Sequence, residues 1–254
     1  MELNHKVLGD GKPLLVLHGL FGLLDNWSGL AKAFAKNRRV YLLDLRNHGR
    51  SPHDPVFDYE AMSGDLHEFI EKHGIENPDI IGHSMGGKVA MYLAGRYQPE
   101  LLDRLVVVDI APRYYPVHHR TIIDALAGVD LAALQSRQEA DDQLARNIPE
   151  LAVRQFLLKS LYRTDEGGFA WRFNLAAIDQ DIENVGEALP AHFRYERPTL
   201  FIRGERSNYI RDDDWPLVLE HFPNARLETV TDAGHWVHAE KPAELLQLVN
   251  AFLA

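Results

Sequence analysis

The chain of 254 residues contains no cysteine, which excludes disulfides, thiolate metal sites, iron–sulfur clusters and a cysteine nucleophile together. Any covalent nucleophile must be another residue. Long apolar runs are also missing. No segment approaches the ~20 residues of a membrane span, and the opening MELNHKVLGDGK lacks the apolar stretch of about 7 to 15 residues that a secretory signal needs. A cytoplasmic location with no membrane partner is the expectation. Positive charge is in short supply: 27 Lys and Arg face 37 Asp and Glu, a formal net charge of -10 that repels polyanions unless the basic residues cluster. Nucleic acid is not expected as a partner. What is present is a globular composition, 46% hydrophobic and 25% charged, at a length that suits one α/β core with an insertion.

Apolar runs of strand length recur, each followed by a segment of helical period, which is the signature of a mostly parallel sheet with crossover helices. Six runs predict strands: Pro13 to Gly19, Arg39 to Leu45, Pro78 to His83, Arg104 to Ile110, Pro198 to Gly204 and Ala225 to Thr231. Several are too apolar to alternate, as expected of strands buried on both faces. AMSGDLHEFIEKHGI, SMGGKVAMYLAGRY and PAELLQLVNAFLA carry apolar residues at three- and four-residue spacing and predict covering helices. The first dozen residues read as a short hairpin or edge strand turning at Asp10-Gly11. Between about Arg113 and Tyr195 the rhythm breaks into a Leu-, Ala-, Gln- and Arg-rich segment with no good strand. DLAALQSRQEADDQLARNI and LAVRQFLLKSLYR within it have helical composition, so it reads as a helical cap. The expected division is a core of residues 1–112 and 196–254 with a cap of residues 113–195.

The sharpest motif is Gly82-His83-Ser84-Met85-Gly86, G-x-S-x-G, set between the strand PDII and a helical pattern. Such a tight strand-to-helix turn brings backbone close on both sides of the serine and holds it in a strained conformation, so the flanking glycines supply clearance. Serine needs a base to take its proton. Among 13 histidines, His235 in Asp232-Ala233-Gly234-His235-Trp236 follows the last strand on the same sheet edge as Ser84, with His238 its near competitor. His118 and His119 fall in the expected cap. His18 and His48 sit inside glycine-containing loops, and His18 reads as a hydrogen-bonded structural residue.

A carboxylate must then fix the imidazole tautomer. Many hydrolases of this architecture place it in a G-E-x-D turn after the penultimate strand. Here that stretch is Gly204-Glu205-Arg206-Ser207-Asn208, with Ser207 at the expected aspartate. One strand earlier, RLVVVDIAP delivers Asp109 at the end of an apolar run, where a carboxylate is costly unless specifically partnered. Asp109 is assigned as the acid, with Asp212 and Glu205 in reserve. The oxyanion needs two backbone N–H groups. Met85 supplies the first, and His18-Gly19-Leu20-Phe21-Gly22 the second through Leu20, with Phe21 the alternative. Of the aromatic residues, Trp236 adjoins His235, and Phe21, Tyr115, Phe156 and Trp171 complete the expected substrate pocket.

Asp44 to Ser51 also ends a strand but lacks G-x-x-x-x-G-K-[ST]. No G-x-G-x-x-G opens a helix, and no H-E-x-x-H occurs. No cofactor and no metal are expected. Taken together, HGLFG, DLRNHGRS, GHSMGGK, VDIAP, QFLLKSL, WRFNL and AGHWVHAEKP give the chain a resemblance, over nearly its whole length, to the α/β-hydrolases and specifically to the bacterial YbfF-type esterases. The resemblance implies an α/β-hydrolase fold, mostly parallel, with a helical cap inserted after the sixth strand of the family's count. It also implies an acid after that same strand, which falls on Asp109.

The function implied is a carboxylesterase or thioesterase acting on small to medium acyl groups, acyl-CoA among them. Carbon–carbon hydrolases and lyases keep the same triad, and a hydrolase-fold sensor that binds without turnover is a further class. Arg113, Arg120, Arg154, Lys159, Arg163 and Arg172 offer the cap or its entrance basic groups for a carboxylate or a CoA phosphate. The partner expected is a small-molecule ester or thioester, acted on by a monomer or homodimer.

Overall fold

The computed structural model describes residues 1–97, 101–117 and 119–254. Among them, seven strands form one sheet: β1 (His5–Leu8), β2 (Lys12–Leu17), β3 (Arg38–Leu43), β4 (Asp79–His83), β5 (Leu105–Val108), β8 (Thr199–Gly204) and β9 (Ala225–Val230), in the order β1-β3-β2-β4-β5-β8-β9. All pairs are parallel except β1 with β3. The six apolar runs are thus six adjacent strands of the sheet. The N-terminal segment is an edge strand, as read, but it does not hairpin onto β2. Both edges of β2 are already occupied by β3 and β4, so β1 can extend the sheet only along the free edge of β3.

Strand residues alternate between two cores. Leu15, Leu17, Ile80 and Val107 face the side covered by α2 (Tyr59–Lys72), α3 (Met85–Arg96) and the cap. Leu14, Val16, Ile81, Val106 and Val108 face α1 (Ser28–Phe34) and α11 (Pro242–Leu253). Burial on both faces explains why these strands read as unbroken apolar runs.

The cap lies between β5 and β8. It consists of α4 (Arg120–Ala127), α5 (Arg137–Leu144), α6 (Leu151–Leu158), α7 (Leu175–Gln180) and α8 (Ile182–Val185), with a hairpin of β6 (Leu161–Arg163) and β7 (Phe169–Trp171). Helices dominate, as expected, but the hairpin corrects the reading that no strand occurs there. Its strands have three residues each, too few to show a period, and LAVRQFLLKSLYR leaves the helix at Leu158. The turn between them passes through Gly167 at φ 89°, a conformation that favours glycine. Two further short helices, α9 (Trp215–His221) and α10 (Val237–Glu240), complete the core. Among the described residues no helix is long and apolar enough to cross a membrane.

Candidate active site

The parallel strands β2, β4 and β5 all end on one edge of the sheet, and the loops leaving them carry the residues picked out by sequence. At the end of β4 the chain turns directly into α3 through Ser84, whose φ of 52° and ψ of -121° are strained for a residue with a side chain. The strain is held from both sides: Ser84 N–H donates to Val108 O at 3.0 Å, and Ser84 O accepts from Gly87 N–H at 2.8 Å. A Cβ on Gly82 would lie 2.3 Å from Gly86 O, and one on Gly86 would lie 2.4 Å from His18 O, so the turn closes only with hydrogen at both positions. Ser84 is also the N-cap residue of α3, yet its hydroxyl makes no capping bond, unlike Asp58 of α2, whose side chain accepts from Ala61 N–H. The hydroxyl is left for another partner.

That partner is His235. Its Nε2 lies 3.0 Å from Ser84 Oγ and its Nδ1 lies 2.8 Å from Asp109 Oδ2. A carboxylate only accepts, so Nδ1 carries the proton and Nε2 presents its lone pair to the serine hydroxyl. Asp109 is fully buried, sits at φ 53° and receives two further donors, Gly204 N–H on Oδ1 at 3.1 Å and the Ser207 hydroxyl on Oδ2. Ser84, Asp109 and His235 therefore meet. Asp212 pairs instead with Arg203, and Glu205 accepts from Asp232 N–H.

Several neighbours fix the histidine, and sequence reasoning assigned none of them. The Tyr209 ring stacks on the imidazole at 3.9 Å between centroids. His83 Nε2 lies 2.9 Å from His235 O and donates to it; burial and the neighbouring His238 and His235 hold the His83 pKa well below the usual imidazole range. Glu240 accepts from the Gly234 and Trp236 N–H groups on either side of His235. His238, the near competitor, is buried against the Trp27 ring, and burial pushes its pKa down to about 3. Among the described residues no hydrogen bond joins it to the serine hydroxyl.

The loop after β2 passes beside the serine: a Cβ on Gly19 would sit 3.2 Å from Ser84 Cβ. Phe21 N–H donates to His48 Nε2 at 3.1 Å and so is occupied. Among the described residues, the N–H groups of Leu20 and Met85 have no hydrogen-bond acceptor and stay available for an oxyanion. His18 is a structural residue here. Its Nδ1 donates to Gly19 O and its Nε2 accepts from Leu45 N–H, and burial lowers its pKa to about 4.

Ser84 and His235 open into a cavity of about 220 Å³, walled on the core side by Leu20, Phe21, Tyr209 and Trp236 and on the cap side by Ile122, Val153 and Phe156. Of the expected pocket residues, Phe21, Phe156 and Trp236 line this cavity. Tyr115 lines a small adjoining hollow of about 20 Å³ on the other flank of Ser84, and its hydroxyl bridges Ala111 N–H and Tyr209 O. Trp171 lines neither. It stacks on Phe173, which meets Phe21 edge to face, so it backs the wall rather than forming it. His119, passed over as a cap residue, faces both spaces, while His118 lies outside the described residues.

A larger cleft of about 610 Å³ lies at the opposite ends of β5, β8 and β9, around Arg104 and Arg226, far from any nucleophile assigned by the sequence. Most of the basic residues considered for an anionic substrate are already engaged: Arg113 with Asp214, Arg120 with Asp179, Arg154 with Asp141, and Arg163 over the Phe169 ring. Lys159 and Arg172 face a separate cleft of about 370 Å³. No group of three or more potential metal ligands occurs among the described residues.

Comparison with known proteins finds relatives of the same fold. A family model described as "alpha/beta hydrolase fold" matches residues 12–242. The chain is 41% identical over 253 residues to "sn-1-specific diacylglycerol lipase ABHD11" of Danio rerio, covering 96% of this chain and 79% of that protein. It is 39% identical over 247 residues to "Esterase YbfF" of Escherichia coli K12, covering 96% and 94%. A solved structure titled "Marine microorganism esterase" superposes with a TM-score of 0.96 at 41% identity, over 99% of each chain.

Proposed function

The chain belongs to the alpha/beta hydrolase fold family, and on that premise we propose that it is a serine hydrolase cleaving carboxylic esters and thioesters of small to medium acyl groups. The observation that carries the reading is the continuous relay at the cavity wall, 3.0 Å from Ser84 Oγ to His235 and 2.8 Å from His235 to Asp109. His235 takes the Ser84 proton as the oxygen attacks the acyl carbon, and the Leu20 and Met85 N–H groups receive the developing negative charge. The imidazolium then protonates the departing alcohol or thiol. Water, deprotonated by the same imidazole, repeats the attack and releases the acid and free Ser84. Asp109 holds the ring in the tautomer this sequence needs and stabilises its charged form.

Cavity size supports a short acyl group. At roughly 30 Å³ per heavy atom, about 220 Å³ holds about seven atoms, a butyryl to hexanoyl chain rather than a long fatty acyl chain. The walls are mostly apolar, with His83, His119 and Tyr209 the polar side chains beside the catalytic groups, which favours an unsubstituted chain. The proposed division of labour is a core of residues 1–112 and 196–254 that performs the chemistry and a cap of residues 113–195 that closes the acyl site. We further propose a cytoplasmic enzyme working as a monomer or homodimer, to be checked by fractionation and light scattering of the native protein.

The test is a chain-length series of nitrophenyl esters and acyl-CoA thioesters. A nitrophenol burst followed by steady turnover is expected, with an optimum near four to six carbons, blocked by a serine-directed phosphonate and absent from Ser84→Ala. Tight binding of these compounds with no turnover would replace the reading with that of a ligand-binding protein.

A further inference from the structure

Lys88 stands one helical turn after Ser84 on α3, with its side chain almost wholly removed from solvent at 1% exposure. No carboxylate pairs with it among the described residues. Its three ammonium hydrogens go instead to three backbone carbonyls: Arg113 O at 2.9 Å, Gly186 O at 3.3 Å and Glu187 O. The Tyr115 and Tyr59 rings flank the charge at 4.9 and 5.6 Å. Burying an ammonium without a counter-ion is costly, and burial with the neighbouring Arg113 lowers the Lys88 pKa to about 7, so the three carbonyls are the contacts that hold the charged form in place.

What these bonds hold is the neck of the cap. Arg113 lies where the chain leaves the core and Gly186-Glu187 where it returns. The two segments are bonded to each other, Tyr115 N–H to Gly186 O at 2.8 Å and Leu189 N–H to Pro112 O at 2.7 Å. Tyr59 adds a hydroxyl bond to Val185 O. The outgoing segment begins four residues before Arg113, at Asp109. Its Tyr115 hydroxyl grips Tyr209 O, and the Tyr209 ring lies on His235.

From this arrangement we infer that Lys88 is a positioning residue: its ammonium clamps both segments of the cap neck to α3, the helix that follows Ser84, and so fixes the cap-side wall of the acyl cavity relative to the nucleophile. The inference rests on the serine-hydrolase reading above. It assigns Lys88 no proton transfer and no contact with substrate.

Lys88→Met keeps the unbranched apolar stem of the side chain and removes all three donors. Hydrogen exchange followed by mass spectrometry or NMR reads the neck directly. Protection at Tyr115 and Leu189 should fall at least about tenfold, the worth of a charge-assisted hydrogen bond, while protection at Ser84 and within β5 holds. Kinetics read the consequence. KM for a hexanoyl ester should rise about tenfold or more, since a longer chain depends more on the cap-side wall of Ile122, Val153 and Phe156, with the acetyl ester changed less than about threefold.

Equal losses on both esters, or protection lost everywhere alike, would mean that Lys88 only supports the fold and would overturn the inference. So would unchanged protection at the neck. A protein whose neck amides respond as expected but which hydrolyses no ester upholds the clamp and rejects the functional reading instead. Should the variant not fold, Lys88→Gln, which keeps an N–H donor on a shorter stem, is read in the same way, and unchanged neck protection or equal losses on both esters in it would overturn the inference.

Discussion

Asp109 receives three donors, and they are not equivalent. His235 Nδ1–H is the functional one, since it orients the base; the Gly204 N–H and the Ser207 hydroxyl keep the carboxyl group from rotating away. Asp109→Asn places an amide against Nδ1, disfavours the productive tautomer and should lower kcat/KM about 10⁴-fold with the fold intact. Ser207→Ala removes one hydrogen bond to a charged acceptor and should cost about tenfold, an intermediate effect. Both are read from nitrophenyl ester kinetics alongside circular dichroism. Equal losses at the two positions would contradict the assignment of Asp109 as the acid. The placement of Asp109 against His235 was legible in sequence because an aspartate ending so apolar a strand needs a specific partner, and because Ser207 occupies the alternative position. That Ser207 would serve as the partner of Asp109 was not legible. Nor was the stacking of Tyr209 on His235, since both contacts join loops roughly a hundred or two dozen residues apart that only the sheet brings together.

At the scale of elements, the site depends on three loops that leave β2, β4 and β5 in unusual conformations. Phe21, Ser84 and Asp109 all have positive φ, and so does Asp232 ahead of His235. Strain of this kind costs on the order of 1–3 kcal/mol per residue and persists only where packing over-determines it. The glycines around Ser84 are part of that packing. Gly86→Ala would force a Cβ to within 2.4 Å of His18 O, and neither backbone segment can yield without moving the β2 loop that carries the Leu20 N–H. The variant should lose at least about a hundredfold in kcat and several degrees in Tm, an effect of overpacking against backbone. Full activity in that variant would mean that the β2 loop and the serine turn are not rigidly coupled. The period of the sequence revealed the six strands and the covering helices because each is long and has a defined buried face. The β6–β7 hairpin escaped because three-residue strands carry no period, and the partner of β1 escaped because edge pairing is decided by which strand has a free edge.

The whole molecule carries its histidines unevenly, and this sets how it should respond to acid. Composition gives 13 histidines but not their burial. The fold buries His18, His48, His83 and His238 around the site. Burial lowers His18 to about 4, burial and the neighbouring His18 charge lower His48 to about 3, burial lowers His238 to about 3, and His83 also falls well below its usual value. A group whose folded pKa is depressed binds its proton more readily in the unfolded chain. As pH falls below about 6.5, the unfolded state therefore takes up protons that the folded state refuses, and stability drops until the folded values near 4 and 3 are reached. Each fully buried histidine should cost on the order of 2 kcal/mol at pH 5 relative to pH 7. Urea unfolding at the two pH values should show a fall of several kcal/mol in total. His48→Gln retains an oxygen to accept the Phe21 N–H but cannot titrate, so it should shrink that fall while lowering stability little at pH 7. A wild-type protein equally stable at pH 5 and pH 7 would show that these rings are not held neutral by the fold. The loop contacts through which His18 and His48 support Gly19 and Phe21 would then be weaker than their distances imply.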